Sequence, residues 1–390
     1  IGGGVMGARI AWACARRTHG SRGSVALFER RALAAGSSGR SGAVLRQHYS
    51  SPHVAAMARD SLVEYATLEQ RTGKGIGFQR CGVLTIAGPR TPEMMERVRV
   101  NVAMQRGIGI DTQVVDAREM RRLAPGIEVD ERAIAAWEPG GGFCDPVRAV
   151  HAFAELAVES GASLQIGLEV RRVIVEGGRA VGIETNGGRV DAEAVVLAAG
   201  PWTRPLLVAL GSDMPLEVVR PRQHFLASPS ETVSATAAHP VLLDLELGYY
   251  TRCEPSRSRT RIGALEHQGD AKIADPDELD EDVDVEFTRW ARGKLEQRMP
   301  VYRARADQAP QAAWYTLTPD SQPILGRVAG IENLFIAAGF SGHGFKLAPS
   351  VGEGIAQLVF GEPLRAFDAD FFSADRFQGG QGGDASAFGL

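Results

Sequence analysis

Unbroken apolar runs that close on small residues set the framework of this chain. Ala194-Val195-Val196-Leu197-Ala198-Ala199-Gly200 and Leu334-Phe335-Ile336-Ala337-Ala338-Gly339 lack the alternation of a half-exposed strand, so both predict parallel strands covered on two faces. Val25-Ala26-Leu27-Phe28-Glu29 is a similar run that ends on a carboxylate. Period-two alternation marks residues 168–175 and 180–185 and the neighbourhood of Val190, with glycine pairs at 177–178 and 187–188 between them. That pattern predicts a three-stranded meander. Helical spacing marks residues 8–16, 54–71 (Met57, Leu62, Tyr65, Leu68), 92–106, 116–123 and 147–160, and residues 83–86 read as a strand. Short strand candidates at 217–219, 224–227, 249–253 and 261–264 predict a second, antiparallel sheet.

At 390 residues the chain exceeds what one hydrophobic core organises. Buried strands alternating with helices predict an α/β fold of two domains: a Rossmann-like nucleotide-binding domain carrying the meander, and a second domain built on a mostly antiparallel sheet. The expected division gives residues 1–80, 145–215 and 311–374 to the first, discontinuous domain and 81–144 and 216–310 to the second. Residues 375–390 are poor in apolar side chains and are expected to form a disordered tail. The acidic run 275–286 reads as a solvated surface leading into a helix.

Composition narrows the choice of partner. Hydrophobic content of 44%, charged content of 23% and a net charge of −4 give no electrostatic reason to expect nucleic acid or a membrane, so a small molecule is expected. Cys14, Cys81, Cys144 and Cys253 are scattered without C-x-x-C spacing. This argues against zinc, an iron–sulfur cluster or a disulfide framework, and it fits a reducing cytoplasm. No run approaches the roughly 20 apolar residues of a membrane helix.

Candidate chemistry concentrates at two glycine loops. Ile1-Gly2-Gly3-Gly4-Val5-Met6-Gly7 fits G-x-G-x-x-G: Gly2 makes the tight turn, Gly4 lets the backbone approach a pyrophosphate, and Gly7 lets the next helix pack close to the sheet. Glu29 stands where an acidic side chain meets a ribose hydroxyl. A diphosphate at this turn gains from first-turn N–H groups and from the helix dipole. The strand that feeds such a turn is normally central to its sheet, so a short apolar strand of about five residues is expected before Ile1. The second loop, Gly339-Phe340-Ser341-Gly342-His343-Gly344-Phe345-Lys346, joins a buried strand to a helix with Pro349 near its first turn. Four glycines around His343 and Lys346 point to backbone held against a flat ligand. The Gly/Ser-rich segment 36–51, carrying Arg40, Arg46 and His48, reads as a loop placed at that ligand.

The opening turn with Glu29, the string Val196-Leu197-Ala198-Ala199-Gly200-Pro201-Trp202 and the 339–346 loop together resemble the D-amino-acid-oxidase-like FAD oxidoreductases. Within them the chain is most similar, over residues 1–372, to the branch of sarcosine oxidase (monomeric or beta subunit) and dimethylglycine dehydrogenase. The resemblance implies FAD, with its ADP half over the first glycine unit and its isoalloxazine at the domain boundary. Implied cofactor-binding residues are Gly2, Gly4, Gly7, Glu29, Arg30, Ser38, Val170, Ala199, Gly200, Gly339, Gly342, His343, Gly344 and Lys346. Val170 matches a position that holds adenine through backbone contacts, and it reads equally as sheet core. The helix after Lys346 would face the pyrimidine edge of the flavin, with Lys346 adding a full charge.

The resemblance further implies that Arg46 and Lys346 grip a substrate carboxylate, that Tyr315 lines the amine pocket, and that Arg261 stands in for a lysine that promotes reaction with oxygen. Arg46 also reads as a surface salt-bridge partner and Tyr315 as core, while His48 and His267 read as possible pocket residues or as structural ones. Two departures bear on the cofactor tether. Ala313 stands where monomeric sarcosine oxidases carry cysteine, and Gly39, Arg40 and Ser41 stand where others carry histidine, so noncovalent FAD is expected. The implied activity is oxidation of a secondary or tertiary amino acid, sarcosine or dimethylglycine in type, by hydride transfer to flavin N5 and hydrolysis of the imine. Oxygen or an electron-transfer partner would take the electrons. The alternatives are a primary D-amino acid, glycine or proline as substrate, and, from another class, a noncatalytic flavin-binding subunit or assembly factor.

Overall fold

The computed structural model describes residues 1–20, 23–229 and 239–377. Its helices include α1 (Val5–Thr18), α2 (Pro52–Thr72), α3 (Pro92–Gly107), α4 (Ala117–Leu123), α5 (Pro146–Glu159), α6 (Thr203–Val208), α7 (Val285–Arg298) and α8 (Gly344–Val359). Every residue of α1 from Val5 to Ala15 is buried, because small and apolar side chains surround the helix. It is therefore the central helix of the first domain, packed against α5 and α8. One charge pair crosses that core: Arg9, 1% exposed, grips Glu64 of α2 through two bonds of 2.6 and 2.7 Å.

The predicted parallel strands form beside α1. Ala26–Glu29 pairs with Ser163–Ile166, and Val195–Leu197 pairs with Leu334–Ala338, both parallel. Residues 1 and 2 run between the two groups: Gly2 N donates to Phe28 O at 2.8 Å, Ile1 N to Val196 O at 2.8 Å, and Ala198 N to Ile1 O at 3.0 Å. The predicted meander is present as Val170–Glu176, Arg179–Thr185 and Gly188–Asp191, all antiparallel.

Pro349 is the sixth residue of α8, one turn in from its start. Proline has no N–H to bond the carbonyl four residues earlier, which is that of Phe345. The Tyr65 hydroxyl, from α2, donates to Phe345 O at 2.6 Å in its place. Next to it, Ser350 Oγ donates to Met57 O at 2.9 Å. A neighbouring helix thus supplies the bond that α8 cannot make itself.

The second domain is an eight-stranded sheet in the order Asp307–Ala312, Arg222–Ala227, Arg259–Ala264, Tyr249–Glu254, Val241–Asp244, Val83–Ala87, Ile134–Glu138, Gln113–Asp116. Only Val241–Asp244 with Val83–Ala87 is parallel, so the mostly antiparallel sheet expected from sequence is found. Pro310 is accommodated because its strand lies at an edge. One face buries Leu84, Leu226, Leu242 and Ile262 against Phe287 and Leu295 of α7. Side chains alternate between faces. Tyr250, Arg252 and Glu254 therefore share the other face with Arg261 and Leu243, toward the first domain.

The chain continues in order past the expected start of its tail. Ala374–Phe377 forms a 3-10 turn, and Arg376 Nε holds Asp320 at 2.7 Å. The rest of that expected tail, 378–390, lies outside the described residues. Among the described residues no helix is long and apolar enough to cross a membrane.

Candidate functional site

A cleft of about 710 Å³ runs along the carboxyl ends of the parallel strands, from Glu29 and Val170 at one end to Tyr315 and Phe345 at the other. This is where open α/β sheets bind ligands. Of the expected cofactor residues, Gly2, Gly4, Glu29, Arg30, Ser38, Val170, Ala199, Gly200, Gly339, Gly342 and Gly344 line it. Gly7, His343 and Lys346 stand behind the wall. Gly7 has a steric reason to be glycine: a Cβ there would lie 1.8 Å from Gly2 O. Glu29 Oε2 accepts the Gly3 amide at 2.8 Å and Oε1 the Arg31 amide at 2.8 Å, which fixes the carboxylate at the strand end. Ser38 Oγ accepts the Val5 amide at 3.0 Å, tying the Gly/Ser segment to the first turn of α1. Neither α1 nor α8 has an acidic residue in its own first turn, and both positive helix ends meet the cleft.

The acidic run is solvent-exposed, as expected, and its first part also forms a strap over this cleft. Asp275, Pro276 and Asp277 line the cavity. Asp277 pairs with Arg30, bonds Arg31 at 3.3 Å and accepts the Trp202 indole N–H at 3.1 Å. Trp314 Nε1 donates to Pro276 O at 2.9 Å, while Arg40 pairs with Glu281, Arg220 with Asp280, and Arg222 with Asp284. Arg30 itself lies 4.4 Å from the Trp202 ring. The negative run is held down because arginines scattered through the sequence converge beneath it, and linear spacing carries no trace of that convergence. The expected helix does follow, capped by Asp284.

A small cavity of about 30 Å³ lies next to the cleft and shares Ser41, Tyr315, Gly342 and Phe345 with it. Arg46 and Lys346 both line this cavity, although Arg46 is only 1% exposed and Lys346 5%. The sequence alternative of a surface salt bridge for Arg46 is therefore excluded by its burial. Its guanidinium lies 4.0 Å from the Tyr49 ring and donates to His48 O. Burial, then the neighbouring Arg46, pulls the Lys346 ammonium well below its ordinary value. Tyr315 lines both cavities, and the His267 ring meets it edge-on at 4.6 Å. A Cβ on Gly342 would lie 2.9 Å from the Tyr315 ring, so this glycine allows the loop to close on the aromatic.

His267 Nδ1 bonds Asp270 at 2.8 Å, and His48 bonds Gln105 of α3 at 3.1 Å; neither lines either of these two cavities. Burial, reinforced by Arg46, drives the His48 imidazole down to about 3. Arg261 is not brought to either cavity. Its Nε bonds Glu254 at 2.6 Å and its Nη1 bonds Arg40 O at 2.8 Å, in a buried cluster where Arg252 and Arg259 also bind Glu254. Arg261 shares the sheet face of Tyr250 and Leu243, but no residue of its strand Arg259–Ala264 lines either cavity. Sequence reasoning missed Tyr250 and Leu243, which line the small cavity from that sheet.

The profile of a protein family described as FAD dependent oxidoreductase (DAO) matches residues 1–358. The chain belongs to that family. Among curated relatives it is 29% identical to 4-methylaminobutanoate oxidase (formaldehyde-forming) of Paenarthrobacter nicotinovorans, over 98% of this chain and 45% of that protein. It is 27% identical to mitochondrial dimethylglycine dehydrogenase of Rattus norvegicus, over 93% of this chain and 43% of that one. The chain thus spans less than half the length of these two relatives. Peroxisomal sarcosine oxidase of Homo sapiens is 27% identical, with 97% of this chain and 95% of the relative covered. The crystal structure of L-proline dehydrogenase from P. horikoshii superposes with a TM-score of 0.87 at 26% identity, covering 97% of this chain and 96% of that one.

The residues present fit the cofactor named by the family. The cleft is lined by the Glu29 carboxylate, by the N-terminal residues of two helices, which suit phosphate and a reduced ring, and by the Tyr315 aromatic. FAD in this family member would be held by the Gly2–Gly7 turn, Glu29 and the Gly339–Gly344 loop. No cysteine or histidine is among the residues lining the cleft.

Proposed function

We propose that the chain binds FAD noncovalently and oxidises the C–N bond of a small amino acid whose nitrogen carries alkyl groups, as in sarcosine or dimethylglycine. The observation that carries this reading is the meeting of two buried cations, Arg46 and Lys346, at a cavity beside the cofactor cleft. Two buried like charges repel, and a ligand carboxylate between them relieves that repulsion. The planar fork of Arg46 suits two carboxylate oxygens, and Lys346 adds a point charge. A ligand carboxylate also favours the charged form of Lys346, which burial and Arg46 disfavour.

With the carboxylate held there, the amine end projects toward Tyr315, whose ring accepts a cationic or alkylated nitrogen. Bound FAD supplies a hydride acceptor at N5, and water hydrolyses the imine so formed. The residues of this chain contribute chiefly orientation, placing the C–H beside nitrogen toward the cleft. Burial keeps His48 and His343 neutral and weakly basic, so the substrate amine sheds its proton before the C–H bond breaks. Electrons then pass to oxygen or to a partner protein.

The division of labour proposed for the chain gives residues 1–80, 145–215 and 311–374 to the cofactor, and 81–144 and 216–310 to the substrate. The four cysteines form no disulfide among the described residues, which supports a reducing compartment, of which we favour the cytoplasm. Similarity to L-proline dehydrogenase and, at 26% identity and a TM-score of 0.80, to glycine oxidase from Geobacillus kaustophilus favours a second reading, with glycine or proline as substrate.

Anaerobic addition of N-methyl amino acids, glycine, proline and D-amino acids to the yellow holoprotein tests all of these. Bleaching identifies the substrate, and the rate of colour return in air separates oxidase from dehydrogenase. Bleaching undiminished in Arg46→Ala refutes the grip, and no bleaching by any amine refutes the enzymatic reading in favour of a noncatalytic flavoprotein. Yellow colour retained by acid-precipitated protein refutes noncovalent binding.

A further inference from the structure

Behind the two cations sits a carboxylate with no part in the mechanism above. Glu138 ends the strand Ile134–Glu138, opposite Val83, and is 0% exposed. Its Oε2 accepts the Gln47 amide at 2.5 Å, and the His48 carbonyl in turn takes the Arg46 guanidinium. Asn101 and Gln105 of α3 hold the same segment: Gln105 Nε2 donates to Tyr49 O at 2.9 Å, and both side chains reach the His48 ring. The hydrogen bonding needs only an acceptor at position 138, which an amide or a carbonyl provides. A full charge there needs a further reason, because burying a carboxylate is expensive unless charge answers it.

That reason is the charge count. Arg46 and Lys346 are both within the field of Glu138. Counted with Arg46 and Lys346 protonated and Glu138 ionised, the buried set carries a single net positive charge, and one ligand carboxylate brings it to neutrality.

We propose that Glu138 is a specificity-determining counter-charge: it cancels one of the two buried cations, so that the pocket accepts monocarboxylate amino acids and rejects dicarboxylates. A second ligand carboxylate would leave the buried set with net negative charge and would face Glu138 without a partner. Burial pushes the Glu138 carboxyl up to about 7, while the Gln47 and His48 amides and Arg46 act in the opposite direction. The inference rests on the reading of Arg46 and Lys346 as a carboxylate site.

The test is calorimetric titration of acetate and malonate into flavin-loaded wild type, Lys346→Met, Glu138→Gln and the double variant. Glutamine keeps the acceptor for Gln47 and removes only the charge. Wild type is expected to prefer acetate to malonate by about tenfold or more, and Glu138→Gln to lose most of that preference. Lys346→Met, with its remaining charges cancelled, should bind acetate at least about tenfold more weakly, and adding Glu138→Gln should restore most of the loss. In turnover, Glu138→Gln should move KM and the mono-to-dicarboxylate ratio while leaving kcat within about twofold.

No rescue in the double variant, with acetate binding still dependent on Lys346, overturns the inference and leaves the carboxylate site standing. Acetate binding indifferent to Lys346 overturns the carboxylate site itself. If the Glu138 variants do not fold, wild type alone decides, because malonate bound as tightly as acetate is incompatible with the proposed balance.

Discussion

Substituting Gly7→Ala probes how the first turn couples the sheet to the cofactor. A Cβ at this position would stand 1.8 Å from Gly2 O and 3.3 Å from the Leu27 side chain, and real Cβ atoms essentially never come under 3.0 Å of a heavy atom. The helix and the turn must therefore part by 1.2 Å, the difference between those two distances. Neither side yields easily. Gly2 is tied to Phe28 at 2.8 Å, and α1 is buried along its length between α5 and α8. Overpacking of this kind costs about 2 kcal/mol, which corresponds to about 30-fold in an equilibrium constant if it falls on the bound state.

The expected outcome is a folded protein that loses FAD about 30-fold more readily, measured by flavin fluorescence on equilibrium dialysis, with a lower apoprotein unfolding midpoint. Gly293→Ala, in α7 with nothing within 4 Å of the new methyl, is the control. It should stabilise by about 0.5–1 kcal/mol and leave FAD affinity unchanged. Should Gly7→Ala retain FAD within about twofold of wild type and unfold at the same temperature, the steric reasoning is refuted.

Three further predictions follow from particular contacts. Tyr65→Phe leaves the buried Phe345 carbonyl without a donor, since Pro349 has no N–H, and should cost about 1–3 kcal/mol in urea unfolding; a loss below about 0.5 kcal/mol would show that the bond is dispensable. Asp277→Asn loosens the strap from Arg30, Arg31 and Trp202; at 41% exposure its ion pairs are screened, so FAD release should quicken only about three- to tenfold, and added salt should bring wild type toward the variant's rate. Burial opposes ionisation of Glu254, but Arg261, Arg252 and Arg259 overcome it and hold the carboxyl down to about 2. Its stabilising contribution, about 3 kcal/mol at most, is complete above the unfolded value near 4.5 and is lost as pH falls toward 2. Thermal midpoints measured across that window should fall less steeply in Glu254→Gln than in wild type.

Local chemistry made much of this protein legible in one dimension. The glycine turn at residues 2–7, the small-residue strand ends at Gly200 and Gly339 and the meander turns at Gly177–Gly178 depend on backbone geometry that only particular short sequences adopt, and the structure has each where the sequence places it. The short strands at 113–116, 134–138, 241–244 and 307–312 escaped detection because they draw their stability from neighbours in an eight-stranded sheet rather than from their own pattern.

What the tertiary structure alone decided is where charges end up. Arg46 and Arg261 are both arginines in polar surroundings of the sequence. One lines the small cavity, and the other is spent on Glu254. The acidic run is the solvated surface its composition indicates, but it is also fixed as a strap, because Arg30, Arg40, Arg220 and Arg222 converge on it from distant segments. Backbone conformation is a local property, so the sequence by itself determined the turns, the strand ends and the cofactor fingerprint. Electrostatic partnership depends on distance in space and on exclusion of water, and only the folded chain sets those.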